Sequence, residues 1–177
     1  MTASVLEPPA QTAVEFAGLM KQHQAMVFSV AYHYLHSRDL AQEVAQEVFL
    51  SLHRNLASIQ SPAHAGFWLR KVAVQRSIDE GRRRLRRPQV ALDDVAEPAV
   101  AAAASSGDPM LGETLRKLIA TLAEAPRMVM ILRYQEDLDP VEISEVLEMP
   151  LATVKSHLQR SLALLREKLA RRGLGER

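Results

Sequence analysis

Apolar residues in this chain return every three to four positions, and nowhere do they alternate two by two between Asn-Gly or Asp-Gly turns. A period of 3.6 places such residues on one face of a helix, whereas a strand needs a period of two, so an all-α fold is predicted. Phe16, Leu19, Met20, His23, Val27, Val30, Ala31 and Tyr34 mark one face of a helix over 14–35. Ala41, Val44, Ala45, Val48, Phe49 and Leu52 mark a second over 39–55, with Asp39 as its expected N-cap. Residues 56–66, with Pro62 and Gly66, read as a loop. Phe67 is the expected start of a third helix, apolar at Trp68, Leu69, Val72 and Ala73 and basic from Arg82 to Arg87. These three helices make a first unit over 11–87.

Residues 88–110 break the pattern. They hold seven Ala, three Pro and four acids (Asp93, Asp94, Glu97, Asp108), with no Lys or Arg and no amphipathic period. That is a linker composition. Periodicity resumes with Leu111, Leu115, Leu118, Ile119 and Leu122, and Pro126 is expected to open a helix that runs to Tyr134. Asp139-Pro140-Val141-Glu142 is a helix start in which Asp caps, Pro takes the first helical position and Glu lies three after the cap. That short helix ends near Leu147. Another begins at Pro150, with Val154, Leu158, Leu162, Leu165 and Leu169 on one face. Four helices therefore form a second unit over 111–172. The fold class is all-α, two small helical domains joined by a flexible linker.

Composition narrows the function. With 47% apolar and 24% charged residues the chain is globular in character rather than disordered. Its net charge of +1 hides segregation: residues 70–87 carry eight basic side chains against two acids, and residues 153–172 carry six against one. Two basic blocks on a near-neutral chain point to two separate anionic contacts. Cysteine is absent, which excludes disulfides, thiolate metal sites and cysteine nucleophiles. His33 and His36 lie one helical turn apart but have no third ligand at a useful spacing, so neither metal nor cofactor is expected. No phosphate-binding loop, Gly-x-Ser-x-Gly motif or paired catalytic carboxylate occurs, and no small-molecule substrate is expected. No apolar run approaches the ~18 residues of a membrane span, and Met1 to Ala10 lacks a signal-peptide pattern. A cytoplasmic protein without membrane insertion is expected.

Three constellations carry interaction chemistry. The capped helix, three-residue break and basic helix form a helix-turn-helix pattern, with Thr153, Lys155, Ser156, Gln159 and Arg160 facing outward where base-reading side chains sit. A plain helical hairpin with a solvated face would share that pattern. On 39–55 the residues Asp39, Gln42, Glu43, Gln46, Glu47, Leu50 and Arg54 form a second face, either a docking surface for a basic partner or a solvated surface with one stray leucine. The cations Arg70, Lys71, Arg76, Arg82, Arg83, Arg84, Arg86 and Arg87 exceed what a helix C-terminus attracts and suit a phosphate backbone. Phe67 and Trp68 before them serve either as a base-stacking platform or as core.

The order of these motifs resembles the sigma-70 family. Asp39-Leu40-Ala41-Gln42-Glu43-Val44-Ala45-Gln46-Glu47-Val48-Phe49-Leu50 resembles its region-two polymerase-binding helix. Trp68-Leu69-Arg70-Lys71-Val72-Ala73, with Asp79 and the arginine tail, resembles the continuation into the minus-ten reader. Leu122 to Leu169, with Pro126-Arg127, Leu132-Arg133-Tyr134, Glu142-Ile143-Ser144 and Thr153-Val154-Lys155-Ser156, resembles region four. Two such regions and a short linker resemble an extracytoplasmic-function sigma factor, which directs core RNA polymerase to promoters and catalyses nothing itself. The resemblance implies three sets of contacts. Gln42, Glu43, Gln46, Glu47 and Leu50 would meet the clamp helices of the polymerase beta-prime subunit. His64, Phe67, Arg70, Lys71, Arg76, Arg82 and Arg83 would meet the minus-ten element. Thr153, Lys155, Ser156, Gln159 and Arg160 would meet the minus-thirty-five element of promoter DNA. It also implies an anti-sigma factor as partner, and a linker whose acids run along basic polymerase channels. Where the family usually has Gly in the helix-turn-helix turn this chain has Glu148, and it has Ala152 at a second such place. A left-handed residue other than Gly costs about 1 kcal/mol. From the residues alone, a helix-turn-helix regulator that is not a polymerase subunit, and a helical protein-binding adaptor, stay open as alternatives.

Overall fold

Ser37 opens the second helix in extended conformation (φ −136°, ψ 125°), and its hydroxyl accepts from the Leu40 amide. The cap is therefore two residues earlier than the expected Asp39. Asp39 sits instead in the first turn, where its charge complements the helix dipole. A similar shift occurs before the third helix. Ser61 Oγ accepts from the His64 amide at 3.1 Å and Pro62 takes the first helical position, so the helix begins five residues before Phe67. The expected loop 56–66 shrinks to a 3₁₀ turn, Leu56–Ser58, and a short connection. Gly66 lies within the helix, where a Cβ would stand 3.1 Å from His23 Cε1.

The structure, a computed structural model, describes residues 10–86 and 109–172, with side chains from 16 and from 112 onward. In chain order the helices are α1 (Ala10–Leu35), α2 (Arg38–Asn55), α3 (Pro62–Arg86), α4 (Pro109–Ala120), α5 (Glu124–Tyr134), α6 (Pro140–Leu147) and α7 (Leu151–Arg171). Among the described residues there is no strand, and no helix is long and apolar enough to cross a membrane. Of the expected linker 88–110, the part 88–108 lies outside the described residues, as does Arg87, while 109 and 110 belong to the first turn of α4. Pro126 does not open α5 but occupies its third position, where a missing N–H breaks no helical bond.

Helices α1, α2 and α3 pack on one another through Val27, Val30, Ala31, Val44, Val48, Leu52, Leu69 and Ala73, all buried. Helices α4 to α7 pack around Leu118, Leu122, Met130 and Leu165. Beside that small cluster, the second group shares a larger core with the first. Met128, Val129, Ile131, Leu132, Leu138, Ile143, Val146 and Val154 join the cluster of α1 to α3 in one apolar core. Arg127 fastens the junction. Its guanidinium donates to the Ala120 and Leu122 carbonyls at 2.6 and 3.1 Å and stands 5.2 Å over the Tyr34 ring. Gly81 lets α3 approach that same ring, since a Cβ there would lie 2.9 Å from Tyr34 Cε1.

Candidate functional site

The outward face of α2 divides along its length. Gln42, Gln46 and Leu50 border an apolar groove of about 1150 Å³ between α1 and α2, floored by Phe16, Met20, Phe28 and Phe49. Leu50 is 57% exposed although every residue of the α2 stripe at Ala41, Val44, Val48 and Leu52 is buried. Glu43 and Glu47 lie on the other flank, toward α3, where Glu47 meets Arg76 at 3.4 Å. The five expected docking residues thus form an apolar edge beside an acidic one. Three groove residues, Phe16, Met20 and Phe49, belong to the apolar stripes read from the sequence, and periodicity alone assigns them to the core. Phe28 falls outside those stripes.

The expected nucleic-acid residues of α3 also divide. With 100° per residue, Phe67, Arg70, Lys71 and Arg82 share one flank, and Arg76 and Arg83 share the opposite one. The contacts agree. Lys71 pairs with Glu148 and Arg82 with Glu124, both from α5 to α7 and their turns, whereas Arg76 pairs with Glu47 of α2 and Arg83 with Glu80 of α3 itself. His64 Nδ1 accepts from the Gln60 amide at 3.1 Å and so braces the connection that leads into α3. Phe67 and Trp68 are both partly buried against the core. Phe67 also borders a cavity of about 380 Å³, with Arg70, Glu142, Glu145 and Val146.

The helix-turn-helix is built from α6 and α7. Asp139 Oδ1 accepts from the amides of Val141 and Glu142 at 2.7 and 2.9 Å, and the Glu142 carboxylate accepts from the Asp139 amide at 2.8 Å, a complete capping box. Glu148 ends α6 in the left-handed region (φ 51°, ψ 41°), the conformation for which glycine is usual. The Ser144 hydroxyl donates to the Met149 carbonyl at 2.7 Å and closes the turn. Val154 is fully buried, Leu158 partly, and together they anchor α7. Lys155, Gln159 and Arg160 are exposed, while Thr153 and Ser156 are half-buried beside them. Arg160 Nε donates to the Ser156 carbonyl at 3.3 Å, which lays its guanidinium along the outer face. All five expected residues lie in the first half of α7, as base contact by this motif requires.

Electrostatics at the junction of the two helix groups follow from burial. Burial pushes the Glu136 carboxyl up from its ordinary range, while a hydrogen bond from the Ser29 hydroxyl and the Arg70 charge act the other way. Burial, then the charges of His36 and Arg116, pull the His33 imidazole down to about 4. No group of three or more His, Asp or Glu that could hold a metal ion occurs among the described residues. Glu148 stands out in the sequence only as a replacement for glycine and Glu124 not at all, and neither pairing is legible there because the partners lie 77 and 42 residues away.

Comparison with known proteins places this architecture. Residues 19–87 match the model of Sigma-70 region 2, and residues 112–165 match that of Sigma-70, region 4. Over 167 residues the chain is 28% identical to the ECF RNA polymerase sigma factor SigW of Bacillus subtilis, covering 87% of this chain and 88% of that one. Its fold is similar to that of the sigma factor RpoE, solved in complex with the anti-sigma factor NepR from Bartonella quintana. The TM-score is 0.66 and the identity 17%, over 88% of this chain and 97% of that one. It is also similar to CnrH, solved in complex with the cytosolic domain of CnrY, with a TM-score of 0.65 and 18% identity over 91% and 94% of the two chains. The chain belongs to the sigma-70 family, in its extracytoplasmic-function subfamily, and its role is that of an RNA polymerase sigma factor in transcription initiation.

Proposed function

We propose that this sigma factor divides its work among a first domain over 11–87, a linker over 88–110 and a second domain over 111–172. Gln42, Glu43, Gln46, Glu47 and Leu50 dock on the beta-prime clamp helices of core polymerase. Leu50 and the groove beside it supply apolar area, and the acids on the other flank select a basic partner. His64, Phe67, Arg70, Lys71, Arg76, Arg82 and Arg83 serve the minus-ten element, the cations holding phosphates and Phe67 offering a ring to an unstacked base. Thr153, Lys155, Ser156, Gln159 and Arg160 enter the major groove at the minus-thirty-five element. The chain acts in the cytoplasm alongside the polymerase, and an anti-sigma factor restrains it, as the anti-sigma factor NepR binds the sigma factor RpoE in the solved complex named above. The observation that carries this reading is one molecule holding both an exposed leucine at an apolar groove and an exposed cationic first half of a helix-turn-helix reading helix. In vitro transcription with core polymerase on a promoter library tests it. Transcripts from a defined promoter subset are expected with the chain present and not without it, and equal output in both cases would overturn the reading.

A further inference from the structure

The buried residues of α7 fix which way the rest of the helix faces. Val154, Ser161 and Leu165 are buried and Leu158 is partly so, and they fall within one narrow sector. At 100° per residue the line diametrically opposite that sector passes within about 10° of Ser156 and about 30° of Ala152. Gln159 and Arg160 flank it at about 50°, and Thr153 and Lys155 lie further round, at about 70° and about 90°. Ala152 is exposed, and it stands nearer the centre of the outward face than any side chain assigned above to the minus-thirty-five element except Ser156.

Its height on the helix matters as much as its direction. Leu151 is the first residue of α7, so Ala152 belongs to the first turn. That turn is fully wound, since the Thr153 and Val154 amides both donate to the Pro150 carbonyl, at 2.9 and 3.1 Å. Pro150 contributes no side-chain cap, so no capping group overhangs Ala152. In a helix-turn-helix the N-terminal residues of the second helix are the ones that meet base edges. Lys155, Gln159 and Arg160 carry long polar side chains that reach from the flanks to phosphates and polar base edges. A methyl on the midline meets only what lies directly beneath it on the groove floor.

That methyl has no hydrogen bond to offer. Set against guanine O6 and N7, or against the cytosine amino group, it would strip water from them and return nothing. Among the major-groove edges only thymine presents an apolar group, its C5-methyl. We propose that Ala152 is a specificity-determining residue that reads one thymine of the minus-thirty-five element by contact between the two methyl groups. Glycine, which the family usually has at this place, carries no side chain for such a contact, so the preference is this chain's own. The proposal rests on the minus-thirty-five role given above to α7.

Deoxyuridine, which is thymidine without the C5-methyl, tests it. Holoenzyme assembled from core polymerase and the full chain is bound to a promoter duplex that the chain selects from the library described above. Each thymine of the upstream element, on either strand, is replaced in turn, and affinity is read by competition gel shift. Replacement at one position is expected to weaken binding about fourfold, the equilibrium worth of one buried methyl. Holoenzyme carrying Ala152→Gly is expected to bind the thymine and deoxyuridine duplexes of that position alike. Comparing the two duplexes within each protein cancels any loss of helix stability that the glycine brings. An upstream element without an A·T pair, an element in which no thymine methyl matters, or an equal methyl effect in both proteins would overturn the assignment. Failure of the minus-thirty-five reading itself shows differently, as undiminished promoter use by Lys155→Glu and Arg160→Glu.

Discussion

Leu50 stands apart on its own helix. Ala41, Val44, Val48 and Leu52 on the same helix are buried, yet Leu50 is 57% exposed beside a groove floored with phenylalanines, which is why it anchors the docking proposed above. Leu50→Asp is expected to weaken core-polymerase binding by tenfold or more, a loss of about 1.4 kcal/mol or greater, as for other central apolar anchors. The free protein should keep its melting temperature, since surface substitutions away from special features stay within about 0.5 kcal/mol. Unfolding of the free variant would instead place Leu50 in the core. His33 presents the opposite case, a polar group held out of water. Burial, with His36 and Arg116 nearby, keeps its imidazole neutral down to about 4, against 6.5 in the unfolded chain. Between those values the unfolded state binds the extra proton, so the stability His33 allows is complete above pH 6.5 and is lost as pH falls toward 4. At pH 5 the loss is roughly 1–2 kcal/mol. His33→Gln removes this titration, so its melting temperature should fall less between pH 7.5 and pH 5 than that of the unsubstituted chain. Parallel declines in the two proteins would assign the acid sensitivity to other groups.

Helices α6 and α7 show what sequence reasoning reaches at the scale of elements. The capping box at Asp139, the stop at Leu147 and the inward Val154 follow from local chemistry, and each is where the pattern places it. Helix starts set by weaker caps shift. Ser37 displaces Asp39, and Ser61-Pro62 draws α3 back over Gly66, because one serine hydroxyl satisfying a free amide outweighs a nominal loop composition. The reading face survives these shifts since it depends only on register. Lys155 and Arg160 are exposed there, with no charged partner within their own helix turn among the ion pairs of the described residues. Lys155→Glu or Arg160→Glu is therefore expected to cost about 1–3 kcal/mol of promoter binding and to silence promoters that depend on the upstream element. Polymerase binding should be unchanged in both variants. Gel-shift and transcription assays on such promoters check this, and undiminished output would remove these side chains from the interface.

The whole molecule holds what the sequence could not disclose. Two units and a compositionally distinct segment between them are legible, but a periodic stripe says only that a face is buried, not against which helix. Sequence reading names no stripe in α5 or α6, and their buried residues share a core with α1 and α3: Met128, Leu132, Ile143 and Val146 cluster with Val27, Val30, Leu69 and Val74. The pairs Lys71–Glu148 and Arg82–Glu124 escape sequence reading for the same reason, as contacts set by tertiary packing between distant segments. A shared core has a thermodynamic consequence. Removing apolar contacts at the junction must loosen both helix groups together, whereas two independent domains would lose stability one at a time. Leu132 is the discriminating position, fully buried in α5 within the joint cluster. Leu132→Ala is expected to destabilise the chain by about 2–5 kcal/mol, in the range of other buried leucine truncations. Calorimetry should show one transition, displaced as a unit, and hydrogen exchange should quicken at the amides of Val27 and Val30 in α1 as well as along α5. A transition that splits in two, with α1 protection untouched, would mean that the helix groups fold separately and meet only through their surfaces.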